Sequence, residues 1–524
     1  MKLSRRSALK LGAGLPVALA APALAQADTR PVITIAVQEI TNSNMLEMLT
    51  EQSNVGTRIF RNYVEPLVDT DWIGDMAMRP GLASAWRRID DRSVEFTLRD
   101  GVRFHNGDPL TAEEVAFSFG PERMWGGSEG GKAPPAGGAQ TARRIFPGFE
   151  KMEVVDARTV RFINRTPDLT LEGQMARTAA VIANRRAFEA APSWQDWARK
   201  PVGTGPYVVA DFRPGQMLVL EAFDHHWQGR PPIRRLRFVQ VPEVASRINA
   251  LLSGEVDFAC DIPPDQIVQI ERNPRFEVAG GPINNTRIIC FDQQHPSLAN
   301  PLVRRALTHS IDRQSIVEAL WAGRIDIPRG LQWDFYGDML VSDWQVPRFD
   351  MAEARRLLRE ANYRGEPIPY RCLNNYYTNQ TATAQILVEG WRAVGLNVQL
   401  QMMENWGQIT GRATQPGIRD WSQSSTLPDP AAQMVPNYGR GGAPWVRGEW
   451  RNEEFGTLAA ELQSSVDRPR RRQAWRRMLQ IIEREDPAYT VLHRNGNFTA
   501  KRRDIAWRAA QSFVMDFRGS NWGA

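Results

Sequence analysis

The run LRDGVRFHNGDPLTAEEVAFSF, residues 98–119, has the outline of a strand, a glycine-bracketed turn and the start of a helix. Just upstream, Val94, Phe96 and Leu98 alternate with Glu95, Thr97 and Arg99, the period of two that suits a half-buried strand. Asp100-Gly101 turns the chain, and Asn106-Gly107 and Pro109 carry it to Thr111. Thr111 stands three residues before Glu114, a spacing at which the hydroxyl caps a new helix while the glutamate reaches back. Phosphate-cradling loops share this outline, so the residues of the turn must decide. A Walker loop needs a lysine and a hydroxyl after its last glycine, and a dinucleotide turn needs three spaced glycines opening the helix. Neither is present, and the stretch reads as a turn that aims a helix.

Outward from this turn, 524 residues leave room for about two to four domains. A content of 42% hydrophobic and 24% charged residues is that of a soluble globular protein. The first residues read as an address. Ser4-Arg5-Arg6-Ser7-Ala8-Leu9-Lys10 precedes an apolar stretch from Leu11 to Ala21 and the small-residue site Ala23-Leu24-Ala25. This resembles a twin-arginine export signal, although Ala8 stands where a larger apolar residue is usual. An ordinary secretory signal with a chance arginine pair is the other reading. Either way the mature chain begins near Gln26 and is expected in the periplasm. No cysteine follows the cleavage site to take a lipid, and no other apolar stretch approaches the roughly 20 residues of a membrane helix.

Removing residues 1–25 takes away four cations and no acid, so 61 cations face 59 anions and the mature protein is nearly neutral. That balance gives no support to nucleic-acid binding, which needs a clustered cationic surplus. The dense run Arg468 to Arg477 is laced with Trp475 at helical spacing and reads as a solvated helix face. Cys260, Cys290 and Cys372 permit at most one disulfide, and their scatter offers no metal-ligand spacing. His225-His226 reads as a turn, because adjacent positions of an extended chain point to opposite faces. Gly126-x-Ser128-x-Gly130 has the spacing of a hydrolase nucleophile elbow, yet it lies in a glycine-rich surface loop from Trp125 to Gly138 instead of between a strand and a helix.

Along the chain, Val32 to Val37 reads as a central strand, and the polar segment after it (Gln38, Glu39, Asn42) occupies a strand end where ligands gather in open α/β sheets. A helix is expected over 54–68, and a strand, helix and strand over 233–260. Helices follow over 301–322, 351–362, 382–394 and 469–485, with strands over 396–402 and at the AYTVLHR run. The pattern predicts two α/β lobes and not one long sheet.

Several stretches together then resemble one family, the large extracytoplasmic solute-binding proteins of ABC importers, peptide and nickel class. They are the segment from Pro80 to Phe119, VGTGPYVV at 202–209, PGQMLVLEAFDHHWQGRPPI at 214–233 and INALLSGEVDFA at 248–259. NPLVRRALTHSIDRQSIVEALWAG at 300–323, FDMAEARRLLREANY at 349–363, LPDP at 427–430 and EREDPAYTVLHRNG at 483–496 continue the match. The resemblance implies the two-lobed periplasmic-binding-protein fold with an extra subdomain. Lobe I would hold 26–285, its subdomain about 75–195, and lobe II 286–489, with residues 490–524 returning to lobe I.

It also implies a non-enzymatic monomer that needs no cofactor, closes on a small solute (peptide, opine, oligosaccharide or chelate) and delivers it to an inner-membrane ABC permease. By position in the family, the solute contacts are Gln38, Glu39 and Asn42; Asn374, Tyr376 and Tyr377 of CLNNYYTNQ; Asn405 and Trp406 of MENWGQ; and Trp421, Ser424 and Asp429 of DWSQSSTLPDP. Aromatic rings offer apolar contact at low entropy cost, and amides and hydroxyls orient the solute. One departure stands out. Peptide binders of this family carry an aspartate shortly after the tryptophan of the last segment, whereas Trp421 is followed by Ser422-Gln423-Ser424-Ser425-Thr426. Two other readings remain from the sequence: a secreted hydrolase built on Ser128, and a solute-sensing or chaperone-like protein on the same fold.

Overall fold

The computed structural model describes residues 28–126, 132–374, 376–411, 415–425 and 427–523. The export signal with its cleavage site near Ala25, and Ser128, lie outside them.

Val32–Val37 is a strand in the middle of the molecule, parallel to Arg235–Gln240 on one side and Phe258–Ala259 on the other. Alternation of Ile33, Ile35 and Val37 explains it, since each side chain is buried. The main sheet has ten strands. From one edge they are Val398–Met403, Ile368–Leu373, Ile418–Ser424, Phe276–Phe291, Tyr489–Arg502, Phe258–Ala259, Val32–Val37, Arg235–Gln240, Met217–Ala222 and Tyr207–Arg213. This corrects the expectation of two separate sheets. The ladder is continuous because Phe276–Phe291 and Tyr489–Arg502, 16 and 14 residues long, run antiparallel through both halves. Their register slips between Pro282 and Thr286 and again between Arg287 and Ile288, where one half gives way to the other. Nearby Gly280 has φ +116°, and a Cβ at this position would lie 2.0 Å from the Asn497 carbonyl oxygen, so only glycine lets the strands meet.

Each half has its own core. Ile33, Ile35, Tyr207, Leu218, Phe238 and Phe258 pack together with Trp507, Val514 and Phe517 of the C-terminal segment. Across the slip, Ile289, Leu307, Tyr370, Trp391 and Val398 form one cluster and Trp333, Trp450, Trp475 and Tyr489 another. A four-stranded antiparallel sheet, Ala83–Arg88, Ser93–Leu98, Thr159–Asn164 and Phe149–Asp156 in that order, builds a further unit around Phe96, Phe119, Phe162, Trp194 and Trp197.

The opening turn belongs to this unit. Gly101 and Gly107 have φ +72° and +87°, and Thr111 Oγ1 accepts from the Glu114 N–H at 3.4 Å to start the Ala112–Ser118 helix. Glu114 does not reach back. Its carboxylate accepts from the Arg185 N–H at 2.7 Å, tying the helix to the Arg185–Ala190 helix instead.

Other local expectations shift at their ends. The helix predicted over 54–68 is Asn54–Ile59 with a 3-10 turn to Asn62, after which the chain leaves to pair Val68–Thr70 with Met78–Pro80. The run 301–322 is two helices, Pro301–His309 and Arg313–Trp321, because Asp312 caps the second through the Ser315 N–H at 3.1 Å. The glycine-rich stretch ends earlier than expected, at the Ala136–Ile145 helix.

The basic helix Arg468–Gln480 is a solvated face, with Arg470 on Glu461 and Arg477 on Glu454, while Trp475 and Met478 are buried. His226 is buried against Glu65 at 3.2 Å, and the three cysteines are free and buried. Among the described residues no cluster of His, Cys, Asp or Glu could hold a metal ion, and no helix is long and apolar enough to cross a membrane.

Candidate solute-binding cleft

A cavity of about 560 Å³ lies between the halves. One wall comes from residues 50–57 with Asn42, Trp72, Arg144 and Arg177; the other from Tyr376, Tyr377, Trp406, the Ile418–Ser424 strand, Tyr438 and Arg447.

The second wall is a chain of rings. Tyr377 to Tyr376, Tyr376 to Trp406, and Trp406 to Trp421 have centroids 4.9, 5.0 and 5.1 Å apart, each pair edge to face. Such a wall gives a solute apolar area without large rotamer loss. Polar contacts join it to the first wall. The Tyr376 hydroxyl accepts from the Asn54 N–H at 3.3 Å. The Asn42 amide, oriented to satisfy both neighbours, donates to Glu39 Oε2 at 2.9 Å and accepts from Trp406 Nε1 at 3.1 Å.

Beneath the rings, Asp420 sits on the strand beside Trp421 and faces away from it, fully buried with Arg287. Its carboxylate also accepts from the Tyr370 hydroxyl at 2.7 Å and from Gln380 Nε2 at 2.8 Å. Arg287 in turn lies 4.1 Å from the centre of the Tyr377 ring. The pair anchors the aromatic wall from behind, and Asp420 itself is not among the residues lining the cavity.

Of the residues expected at the site, Asn42, Tyr376, Tyr377, Trp406, Trp421 and Ser424 line the cavity. Gln38, Glu39 and Asn374 line an adjoining crevice of about 320 Å³ that shares Tyr376. The structure does not bring Asn405 and Asp429 to either space. Asn405 caps the Trp406–Thr410 helix, its Oδ1 accepting from the Gln408 N–H at 3.2 Å. Asp429 accepts from Arg471 Nη2 at 2.8 and 2.9 Å. Both positions carry side chains whose best partners are local or in the second half's own core. Ser424, in the stretch after Trp421, accepts from Asn285 Nδ2 at 2.7 Å.

Sequence reasoning missed Glu51, Asn284, Arg144, Arg177 and Arg447, all on the cavity wall. The register slip supplied no sequence signal for Asn284, and the arginines are indistinguishable from many others in a chain whose cations are nearly all arginine.

Two acids lie close together, Glu51 on the first wall and Glu39 in the adjoining crevice. Burial, with the Glu51 carboxylate second, pushes Glu39 up to about 7. Burial also raises Glu51, against the Ser43 N–H and hydroxyl that donate to it at 2.8 and 2.6 Å. A carboxyl raised in the folded state is protonated there while the unfolded chain has already ionised. Between pH 4.5 and about 7 Glu39 therefore makes the ligand-free protein lose stability as pH rises. Urea midpoints across that window test this: the Glu39→Gln variant should show a flatter decline than wild type, and an unchanged slope would refute it.

The fold and the sequence have known counterparts. Residues 77–445, more than half the chain, match the family model described as bacterial extracellular solute-binding proteins, family 5 Middle. "Heme-binding protein A" of Haemophilus influenzae is 25% identical over 458 residues, covering 81% of this chain and 80% of that protein. The "Dipeptide-binding protein" of Escherichia coli K12 is 23% identical, covering 99% and 98%. Among solved structures, the periplasmic binding protein DppA of Helicobacter pylori in complex with the peptide STSA superposes with a TM-score of 0.82 at 18% identity, covering 91% of this chain and 95% of that one. The two-lobed architecture is shared along almost the whole length. Carrying the family's sequence over most of its length and its fold around the cleft, the chain belongs to the bacterial extracellular solute-binding proteins, family 5.

Proposed function

We propose that this protein is the periplasmic substrate-binding component of an ABC importer, closing on a peptide-like or other small polar solute and presenting it to an inner-membrane permease. The observation that carries this reading is the cavity whose aromatic wall and opposing polar wall sit on different halves of the molecule. Such a solute is buried only when the halves meet, so its binding energy stabilises the closed form, and a permease can read closure as occupancy. The protein acts by binding. The export signal at residues 1–25 would send it through the twin-arginine route as a soluble monomer.

Relatives are named for heme, dipeptides and a peptide complex, so the family alone does not choose the solute. The absence of an aspartate from Ser422 to Thr426, shortly after Trp421, weighs against a free amino terminus as the main anchor. The test is the melting temperature of the mature chain, stripped by unfolding and refolding, against di- and oligopeptides, opines, oligosaccharides and metal chelates. A true ligand at about 100 times its Kd adds roughly 2.7 kcal/mol. A shift with one class identifies the solute, and no shift with any class would overturn the reading.

A further inference from the structure

The charges on the cavity wall do not cancel. Arg419 and Arg447 share Glu449, at 2.7 and 3.4 Å. Glu51 is engaged by Ser43 and shifted toward its neutral form by burial. That leaves Arg144 and Arg177, for which no carboxylate lies within ion-pair distance among the described residues.

Among the described residues each of these two guanidiniums makes one hydrogen bond to protein, and both bonds reach the opposite half. Arg144, in the last turn of Ala136–Ile145, donates through Nη1 to Asn437 Oδ1 at 3.4 Å. Arg177, just before the Thr178–Ala180 turn, donates through Nη2 to the Ala432 carbonyl at 2.6 Å, and its buried Nε has no acceptor among the described residues. Asn437 and Ala432 both belong to the Ala431–Tyr438 helix. A guanidinium carries five donors, so most of this capacity is unused.

A second, independent observation points the same way. Asn284, at the register slip, is 8% exposed, lines the same cavity, and its Nδ2 has no acceptor among the described residues. Unsatisfied donors on a cavity wall ask for an acceptor-rich occupant.

We infer that the solute carries an anionic group, a carboxylate or a phosphate, received between the walls by Arg144 and Arg177. This rests on the solute-binding reading and narrows its substrate class. The pair also links charge to closure. Two guanidiniums brought to one helix repel each other, and an anion between them removes the repulsion and adds charge-assisted hydrogen bonds. Burial and the neighbouring Arg144 already hold Arg177 down to about 10, and the Asp168 carboxylate offsets this only in part.

The test needs no knowledge of the natural solute. Melting temperatures of the mature wild type, Arg177→Gln and Arg177→Lys are compared in sodium chloride, sodium phosphate and sodium malonate at equal ionic strength. Wild type should gain roughly 2–4 °C over chloride in at least one of the two anions. Arg177→Lys should keep part of that gain and Arg177→Gln little of it. In dilute chloride Arg177→Gln should melt no lower than wild type, because the repulsion is relieved. A gain with phosphate alone assigns a phosphate group, and with malonate alone a carboxylate. No gain in wild type, or an equal gain in wild type and Arg177→Gln, overturns the inference. Because the readout uses simple anions, it stands apart from the solute panel: a neutral solute that stabilises the protein would leave solute binding intact and this assignment refuted.

Discussion

Replacing Asp420 with alanine should lower stability by about 3–5 kcal/mol, the cost of leaving a buried guanidinium without its partner. Arg287 and Asp420 are both fully buried, and Asp420 also accepts from Tyr370 and Gln380, so the substitution strands three donors at once. Arg287→Met with Asp420→Leu should cost markedly less than Asp420→Ala, since no charge remains unpaired. Urea unfolding of the three proteins measures both. A loss below about 1 kcal/mol for Asp420→Ala would show that the pair does not hold the sheet. The expected consequence extends to function, because Trp421 is the next residue of the same strand and Tyr377 lies over Arg287. Any solute affinity that survives in Asp420→Ala should be weakened through misplacement of these rings.

For Trp406→Ala, solute affinity should fall about 30-fold or more, on the scale of a central aromatic anchor worth about 2 kcal/mol or above. Trp406 touches Tyr376 at 5.0 Å and Trp421 at 5.1 Å, and donates across the cleft to Asn42. Its removal takes away ring contact and an inter-wall hydrogen bond together. Trp406→Phe should recover part of the affinity, keeping the contact without the donor. Asn405→Ala, one residue earlier, should cost about 1 kcal/mol of stability as a lost cap and leave the Kd nearly unchanged. Titration calorimetry with the ligand that stabilises wild type separates the three. Equal affinity in wild type and Trp406→Ala would remove the aromatic wall from the binding site.

The contrast between Asn405 and Trp406 shows how much of the site was legible. Position along the chain places both at the end of one strand, and the sequence cannot tell which side chain turns inward. Six expected residues line the cavity, led by the aromatic set whose burial on a wall follows from size and low rotamer entropy. Asp429 misled because an aspartate near a predicted cleft looks free in sequence, while in the fold it meets Arg471 from a helix about forty residues away.

What the sequence determined by itself is local. Glycine at 101 and 107, the Thr111 cap and the strand at 32–37 each follow from dihedral preference, capping or patterning within a few residues. The order of motifs extends this to the family, and through the family to two lobes. The tertiary structure decided what depends on partners distant in the chain. It joined the predicted sheets through two long strands, sent Glu114 to Arg185 in place of its own cap, and paired Asp420 with Arg287. Among dozens of arginines it also placed two, Arg144 and Arg177, on the cavity wall with no carboxylate of the described residues within ion-pair distance. Whether a charge is compensated is set by which side chains packing brings within a few ångströms, and no window of sequence contains that distance.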